Sequence, residues 1–497
     1  MKTDKQSKVV TRFAPSPTGD LHIGGVRTAL YGWLLARQND GKFILRIEDT
    51  DKAREVEGGV DIIKNTLQAL SLSWDEFHLQ SELKDVHRAW AQKLYDSGLA
   101  YADDIRPEEV EAWRQDAKLK KKPFLYRDYI ADDRKVEWIY GQNVLRLKSE
   151  PKRYNWHDEA RGDLSAGPEA IDDLVLIKAD GYPTYNFAHI IDDHEMGVTH
   201  ILRADEFISS TPKYLSIYET LGFEHPKFVT LPPIMAPGGK KKLGKRDGAK
   251  SSLEYLEDGI LPEALLNFLA LLGWNPGKGD NQEIFTVNEL IEKFSIEGIG
   301  KSGANYGEDR LKWINGHHIR ALKLDDLYSY ATGHPELISG SNQESSSFRA
   351  PNFMPGSSSA WPESYQKQVL SLVQERLKLL SEIPDLTWFF FEKPELKKDQ
   401  LLDVKGLEGE SQAKEFISHT LNLINQIPDD DFTSENIQAK LNQALEDLNT
   451  KPKVLFALLR NALTGAKFTP SLNDTMAVLG KEEVNERLDL SLEELKD

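Results

Sequence analysis

Within its first fifty residues the chain alternates in a way that leaves few choices of fold. "VVTRFA" (9–14) is apolar and β-branched, "GGVRTALYGWLLARQND" (24–40) repeats apolar residues at Val26, Ala29, Leu30, Trp33 and Leu34, and "KFILRIED" (42–49) is again strand-like. The spacing i, i+3, i+4, i+7, i+8 belongs to one face of a helix. Strand, helix and strand in so short a span make a βαβ unit, with parallel strands and a right-handed crossover. Ligands of such sheets gather at the carboxyl ends of the strands. The sequence places "PSPTGDLHIGG" (15–25) at that end.

The chain has 497 residues, enough for roughly three domains. With 39% hydrophobic and 29% charged residues, it has the make-up of a globular protein. The longest apolar stretch, "LPEALLNFLALLGW" (261–274), is interrupted by Glu263 and Asn267. It falls short of a membrane span and reads as a buried helix. The polar "MKTDKQSKVV" runs straight into a strand, so neither a secretory signal nor a transit peptide is expected and the expected location is the cytoplasm. The absence of cysteine excludes disulfides, thiolate zinc sites and cysteine nucleophiles. A net charge of -18 argues against non-specific coating of nucleic acid, while leaving room for local basic patches.

The corner at 15–25 has two readings. Pro15, Pro17, Gly19, Gly24 and Gly25 build a loop in which His22 simply packs, or they build an anion site. In the second case the helix beginning near Gly24 aims free N–H groups at a phosphate and His22 adds a donor. The stretch is neither a P-loop nor a G-x-G-x-x-G fingerprint. A second segment, "GGKKKLGKRDGAK" (238–250), holds five cations between Lys240 and Arg246 in an otherwise acidic chain. Alone it is a solvated loop or a clamp for a triphosphate; the two segments explain each other if both face one nucleotide.

This pair resembles the "HIGH" and "KMSKS" signatures of class I aminoacyl-tRNA synthetases, and "RFAPSPTGDLHIGG" is similar to the glutamyl-tRNA synthetases in particular. "LRIEDTD" (45–51), "DGYPTYNFAHIIDDHEMGVTHILRADE" (180–206), "TPK" (211–213) and "LKWINGHHIR" (311–320) also look like segments of that family, in its order. The resemblance implies an α/β Rossmann-type catalytic domain with a parallel sheet, in two halves at 1–82 and 182–249. A connective insertion at 83–181 would cradle the tRNA acceptor end, a helical stem-contact domain would span 250–325, and an all-α anticodon-binding region would span 326–497.

The implied reaction joins L-glutamate to tRNA(Glu) through a glutamyl-adenylate, with ATP carried as its Mg²⁺ complex. His22 and Lys245 are the expected catalytic pair. Gly24, Gly25, Glu206, Ile234, Met235, Lys242, Lys245 and Arg246 are expected at ATP. Arg12, Ala14, Ser16, Glu48, Tyr185 and Arg203 are expected at glutamate, the arginines on carboxylates through their planar forks and Glu48 on the ammonium. The expected assembly is a monomer. Other readings are an enzyme that also charges tRNA(Gln), a small-molecule nucleotidyltransferase, and a non-catalytic tRNA-binding descendant.

Several details set this chain apart. Gly244 stands where the family usually has serine, which removes a hydroxyl, adds flexibility and implies a slower or looser activation step. No zinc is expected, since the insertion around 99–128 lacks the cysteines that many bacterial members carry. "RIEDTD" fails as a calcium loop because Ala53 and Arg54 stand where a ligand and glycine belong. His189, Asp192, Asp193, His194 and His200 form a candidate metal cluster, although related enzymes carry a similar "DDH" stretch as part of the catalytic sheet. "KLKKKPF" (118–124) is a tRNA contact or a solvated helix face. In the tail, "SYQKQVLSLVQERLKLLSEI" (364–383) puts Val369, Leu372, Val373, Leu377 and Leu380 on one helical face, which fits the bacterial, α-helical type of anticodon domain. "SGSNQESSSFRAPNFMPGSSSA" (339–360) reads as a flexible insertion.

Overall fold

The computed structural model describes residues 8–51, 54–244, 250–333, 351–466 and 469–496. The chain divides into two compact units, one built from Met1–Tyr255 with Pro262–Leu311, the other from Leu256–Leu261, Lys312–Ser345 and Arg349–Asp497. Lys245 and Arg246 lie outside the described residues, as do positions 339–350 of the Ser-rich segment.

The first unit holds the expected parallel sheet. Its seven strands run, across the sheet, Glu76–Leu79, Lys42–Ile47, Val10–Phe13, His200–Ala204, Lys227–Leu231, Tyr154–Asp158 and Gly162–Ala166. All neighbours are parallel except the last pair, an antiparallel hairpin. The chain works outward from Val10–Phe13 in one direction and later resumes on its other side with His200–Ala204. The strand order therefore reverses beside Val10–Phe13, where a doubly wound sheet opens a crevice for ligands. The helix Ile23–Gln38 covers this centre, burying Val26, Ala29, Leu30, Trp33 and Leu34 as its periodicity requires. At the turn back to the sheet, a Cβ on Gly41 would sit 2.0 Å from the Val9 carbonyl oxygen, so only glycine fits.

The segment 83–181 contributes in two ways. Its strands Ala100–Asp103, Lys135–Val136, Val144–Leu147 and Val175–Ile177 form a separate antiparallel sheet, whereas its hairpin Tyr154–Ala166 extends the edge of the large one. Without cysteines, buried polar pairs tie the small sheet together. Arg146 Nε donates to Asp103 Oδ2 at 2.8 Å, and the Arg146 guanidinium lies 3.4 Å from the centre of the Tyr126 ring. Asp173 accepts from Tyr101 Oη at 2.8 Å and from the Ser149 N–H at 2.9 Å. The run Lys118–Lys122 ends the helix Pro107–Leu119, and its four lysines are exposed.

Three expectations change here. The "DDH" residues belong to the helix Tyr185–Glu195 rather than to the sheet itself. The tail segment 364–383 is not one helix. Glu363–Val373 passes into a 3-10 turn at Gln374–Arg376, and beyond it the Glu382 carboxylate accepts from the Lys378 and Leu379 N–H groups while Asn315 Nδ2 donates to the Lys378 carbonyl at 2.6 Å. Val369, Val373, Leu377 and Leu380 are still buried, but Leu370 takes the place expected of Leu372. Residues 351–360, the described part of the segment expected to be flexible, are built into the fold instead: Phe353 and Met354 are buried, Phe353 N donates to Ala331 O at 2.7 Å, and Gly356–Ala360 makes a 3-10 turn. The second unit is otherwise helical, its core formed by residues such as Phe416, Ile424, Leu441, Leu458, Met476 and Leu488. Among the described residues no helix is long and apolar enough to cross a membrane.

Removing one partner of a buried ion pair strands the other charge. Asp103 is almost wholly buried, so Arg146→Ala should lower the unfolding free energy by roughly 3 kcal/mol in urea titrations, whereas EDTA should leave the wild-type curve unmoved. A shift of that curve on adding EDTA would contradict this account of the insertion.

Candidate active site

A network of buried charges sits under the switch point. Arg46, on the strand Lys42–Ile47, has no solvent exposure. Its Nη1 lies 2.7 Å from Asp193 Oδ1, its Nη2 3.2 Å from Glu48 Oε1 and its Nε 3.6 Å from Asp192 Oδ2. Arg12, on the central strand, binds the same Asp193 carboxylate at 3.1 and 3.4 Å. Asp192 also accepts from Gln80 Nε2 at 2.7 Å and lies 2.6 Å from His87 Nε2. Alternation along the strands explains the grouping: Arg46 and Glu48 are two residues apart and share a side of the sheet.

Burial sets the electrostatics. It raises the Glu48 carboxyl to about 7 against the opposing pull of Arg46 and Arg12. For Asp193 burial acts in the same sense, but Arg12 and Arg46 outweigh it and hold that carboxyl well below the usual range. Arg203 is different. It is 7% exposed, donates from Nη2 to the Thr211 hydroxyl at 2.6 Å, and lies 4.5 Å from the centre of the Phe228 ring. Its Nε has no partner, and no carboxylate pairs with it among the described residues.

Above this network a cleft of about 550 Å³ is lined by Arg12, Ala14, His22, Gly24, Gly25, Tyr185, Arg203, Glu206, Ile234, Lys242 and Gly244, together with Arg27 and His189. Most of the expected residues therefore meet at one place. Three stand apart from its wall. Ser16 is exposed in the preceding loop, Glu48 lies beneath Arg12, and the Met235 side chain occupies the space that a Cβ on Gly303 would need. The Glu48 N–H donates to the Pro15 carbonyl at 2.9 Å, which fastens the proline loop to the second strand.

His22 caps the helix that follows it. Its Nδ1 accepts from the Gly24 N–H at 3.0 Å, and its carbonyl accepts from Gly25 and Val26. The N–H groups expected to face an anion are thus engaged, a correction to the reading of the bare helix start. Since Nδ1 is an acceptor, an uncharged imidazole carries its proton on Nε2. A side chain at Gly24 would strike that ring, with Cβ 2.8 Å from Cε1. Downstream of the basic segment, Ser252 donates to the Leu21 carbonyl through both N–H and hydroxyl, so the chain leaving that segment returns to the His22 loop. Lys242 Nζ pairs with Asp205 at 2.8 Å and with Glu206 at 3.6 Å.

The candidate metal cluster dissolves on inspection of its members. Asp192 and Asp193 are engaged as above, the His194 ring stacks on Phe223 at 3.5 Å, and His200 contacts Thr199. Among the described residues no group of three or more such side chains is placed to hold an ion. The sequence reading missed Arg46, Gln80 and His87; a strand covered on both faces buries Arg46 where alternation alone would expose it.

Comparison with known proteins bears on the whole chain. Residues 8–313 match the family model "tRNA synthetases class I (E and Q), catalytic domain", and residues 349–492 match "Anticodon binding domain". The chain is 36% identical to a glutamate–tRNA ligase of Clostridium botulinum and 38% identical to glutamate–tRNA ligase 1 of Caldanaerobacter subterraneus, over 99% of each chain. The chain belongs to the glutamate–tRNA ligase family. Among solved structures, a glutamate tRNA ligase from Elizabethkingia meningosepticum in complex with its amino acid aligns with a TM-score of 0.83 at 30% identity, covering 98% of this chain and 100% of that one. The glutamate–tRNA synthetase of Elizabethkingia anophelis aligns at 0.80 and 29% identity. Membership in this family of class I ligases accounts for both the parallel sheet and the helical second unit.

The raised Glu48 carboxyl has a measurable sign. Between about pH 4.5 and 7 the folded state keeps a proton there that the unfolded chain releases, so this group's contribution to stability is lost as pH rises through 7. Relative to wild type, Glu48→Gln should therefore gain up to about 3 kcal/mol of unfolding free energy between pH 5 and pH 8. Parallel pH profiles for the two proteins would contradict a perturbed Glu48.

Proposed function

We propose that the cleft ligates L-glutamate to tRNA(Glu) in two steps. The observation that carries the reading is Arg203, a buried guanidinium whose only side-chain hydrogen bond among the described residues is to a neutral hydroxyl, facing the same cleft as Arg12. A buried cation without an anion is costly; a substrate carboxylate completes it with charge-assisted bonds. Glu48, ionised above about pH 7, supplies the opposite charge for the ammonium. Two cations and one anion match an amino acid with two carboxylates.

In the first step the substrate α-carboxylate attacks the α-phosphorus of ATP, giving glutamyl-adenylate and pyrophosphate. ATP enters as its Mg²⁺ complex, the cation neutralising phosphate charge. His22 donates through Nε2 to the charge that develops on the phosphate, Gly24 and Gly25 keep the wall low enough for the nucleotide, and Lys245 completes the clamp from the basic segment. Lys242 is released to the phosphates from Asp205 and Glu206, and Ile234 lines the nucleotide's side of the cleft, while Arg246 and Met235 are assigned to the nucleotide on the family resemblance alone. Ala14 and Tyr185 hold the amino acid against Arg12 from the cleft wall, and Ser16 would reach it from the preceding loop. In the second step a terminal adenosine hydroxyl of tRNA attacks the acyl carbon and AMP leaves. The protein contributes alignment and charge stabilisation, without a covalent nucleophile.

In the same reading residues 83–181 meet the acceptor end of tRNA, 250–325 its stem and 326–497 its anticodon, and the enzyme works as a cytoplasmic monomer. Purified protein with ATP and labelled glutamate should charge tRNA(Glu). His22→Ala should lower the rate by about 100-fold or more with a smaller change in glutamate KM. No ATP-dependent charging of either tRNA(Glu) or tRNA(Gln) would overturn the proposal, and charging of both would favour the non-discriminating alternative.

A further inference from the structure

Arg27 has no role in the chemistry described so far, yet it is a buried cation, 4% exposed, on the wall of the cleft. It sits on the helix Ile23–Gln38, just over one turn beyond the cap made by His22. Among the described residues its guanidinium bonds to main-chain carbonyls rather than to a carboxylate: Nη1 donates to Leu272 at 2.6 Å and Nη2 donates to Pro232. Tyr31, one turn further along the same helix, donates from Oη to the Ala270 carbonyl at 2.8 Å. Ala270 and Leu272 lie at the end of the helix Pro262–Leu271. The last carbonyls of a helix lack intrahelical donors and form its negative pole, so this terminus answers the charge of Arg27.

The bond to Pro232 reaches a segment whose carbonyls are all taken. Pro233 accepts from the Ala304 N–H at 3.0 Å, Ile234 from the Leu243 N–H at 2.9 Å and Met235 from the Tyr306 N–H at 2.9 Å. These three bonds join Pro232–Met235 to the strand Ala304–Asn305 and to the ribbon that carries Lys242. The bond from Arg27 is the one of the four that crosses to the helix capped by His22. Gly273 makes room for it. Its φ is +113°, in the region that favours glycine, and a Cβ there would lie 2.7 Å from Pro232 Cγ and 3.3 Å from Arg27 Nη1.

We infer that Arg27 is a positioning residue for the nucleotide: it holds the Pro232–Ile234 wall, and with it the ribbon bearing Lys242, at a fixed spacing from His22. The inference rests on the reading of the cleft as the ATP and glutamate site. A planar guanidinium can serve carbonyls of two separate segments at once, whereas an ammonium is a point charge on a flexible stem. Without the guanidinium two buried carbonyls lose their donor, and the wall gains freedom to move away from the His22 helix. Arg12 is held instead by Asp193 on the other side of the site, so the two halves of the cleft should respond separately. The sequence reading passed over Arg27 because a cation one step from an apolar helical face looks exposed.

Arg27→Met keeps an extended side chain while removing both donors, and Arg27→Lys restores one. In charging of tRNA(Glu), Arg27→Met should raise the KM for ATP about tenfold or more, as loss of a charge-assisted hydrogen bond implies, and leave the KM for glutamate within about twofold. Arg27→Lys should recover part of the loss. Gly273→Ala disturbs the same junction from the other side with Arg27 intact, and should raise the KM for ATP in preference to that for glutamate. Amide hydrogen exchange in Arg27→Met should quicken at Leu243, Ala304 and Tyr306 while the strand Lys42–Ile47 keeps its wild-type rates, a local loosening that general destabilisation would not produce. An unchanged ATP KM in Arg27→Met, equal losses for ATP and glutamate in either variant, a lysine variant no better than methionine, or a uniform quickening of exchange would overturn the inference. Wild-type protein that fails to charge tRNA would instead overturn the reading on which it rests.

Discussion

The carboxylate of Asp193, wholly buried and shared by Arg12 and Arg46, is the contact on which the rest of the site depends. It joins the first strand, the second strand and the helix Tyr185–Glu195, three elements spread over some 180 positions of the sequence. A buried charge pair of this kind returns little net stability, because desolvation cancels most of its attraction. Breaking it, however, leaves charge stranded in the interior. Its value lies in what it excludes: any packing of these elements that separates the three groups is heavily penalised.

That constraint divides the labour among the arginines. Arg46 is consumed by structure, bracketed by Asp192, Asp193 and Glu48. Arg12 is half committed, its charge already answered by Asp193 while its side chain still reaches the cleft wall. Of these three, Arg203 is the one whose charge no carboxylate among the described residues compensates. The site therefore holds an uncompensated positive charge at Arg203 rather than a diffuse positive surface, in a protein whose net charge is -18. On the proposed reading of the cleft, specificity for an acidic substrate rests on that local imbalance, which no total charge reveals.

Much of this was legible in the residues, and the limits of legibility have physical causes. The βαβ unit, the strand-end placement of His22 and the convergence of Arg12, Tyr185 and Arg203 follow from periodicity, loop chemistry and the family's wording. Arg46 was passed over because a cation inside "FILRIED" looks like an exposed alternate position, and only the sheet shows that both faces of this strand are covered. Gln80 and His87 were unreadable because their partner, Asp192, lies over a hundred residues away. The helix N–H groups at Gly24 were assigned to an anion when the neighbouring His22 ring takes one of them, a competition that spacing does not disclose. In the tail, apolar periodicity located the buried side chains but not the break after Val373, since Leu377 and Leu380 remain buried on either side of a non-helical bend.

If the shared carboxylate both knits the fold and aims Arg12, the two effects are inseparable in one variant. The direct measurement is unfolding free energy and glutamate KM on the same preparation of Asp193→Asn. The account predicts that stability falls by about 3 kcal/mol or more and that glutamate KM rises at least about tenfold while ATP KM stays near its wild-type value. A destabilised Asp193→Asn enzyme that keeps the wild-type KM for glutamate would contradict it, leaving Asp193 a structural counter-ion with no part in presenting Arg12 to the substrate.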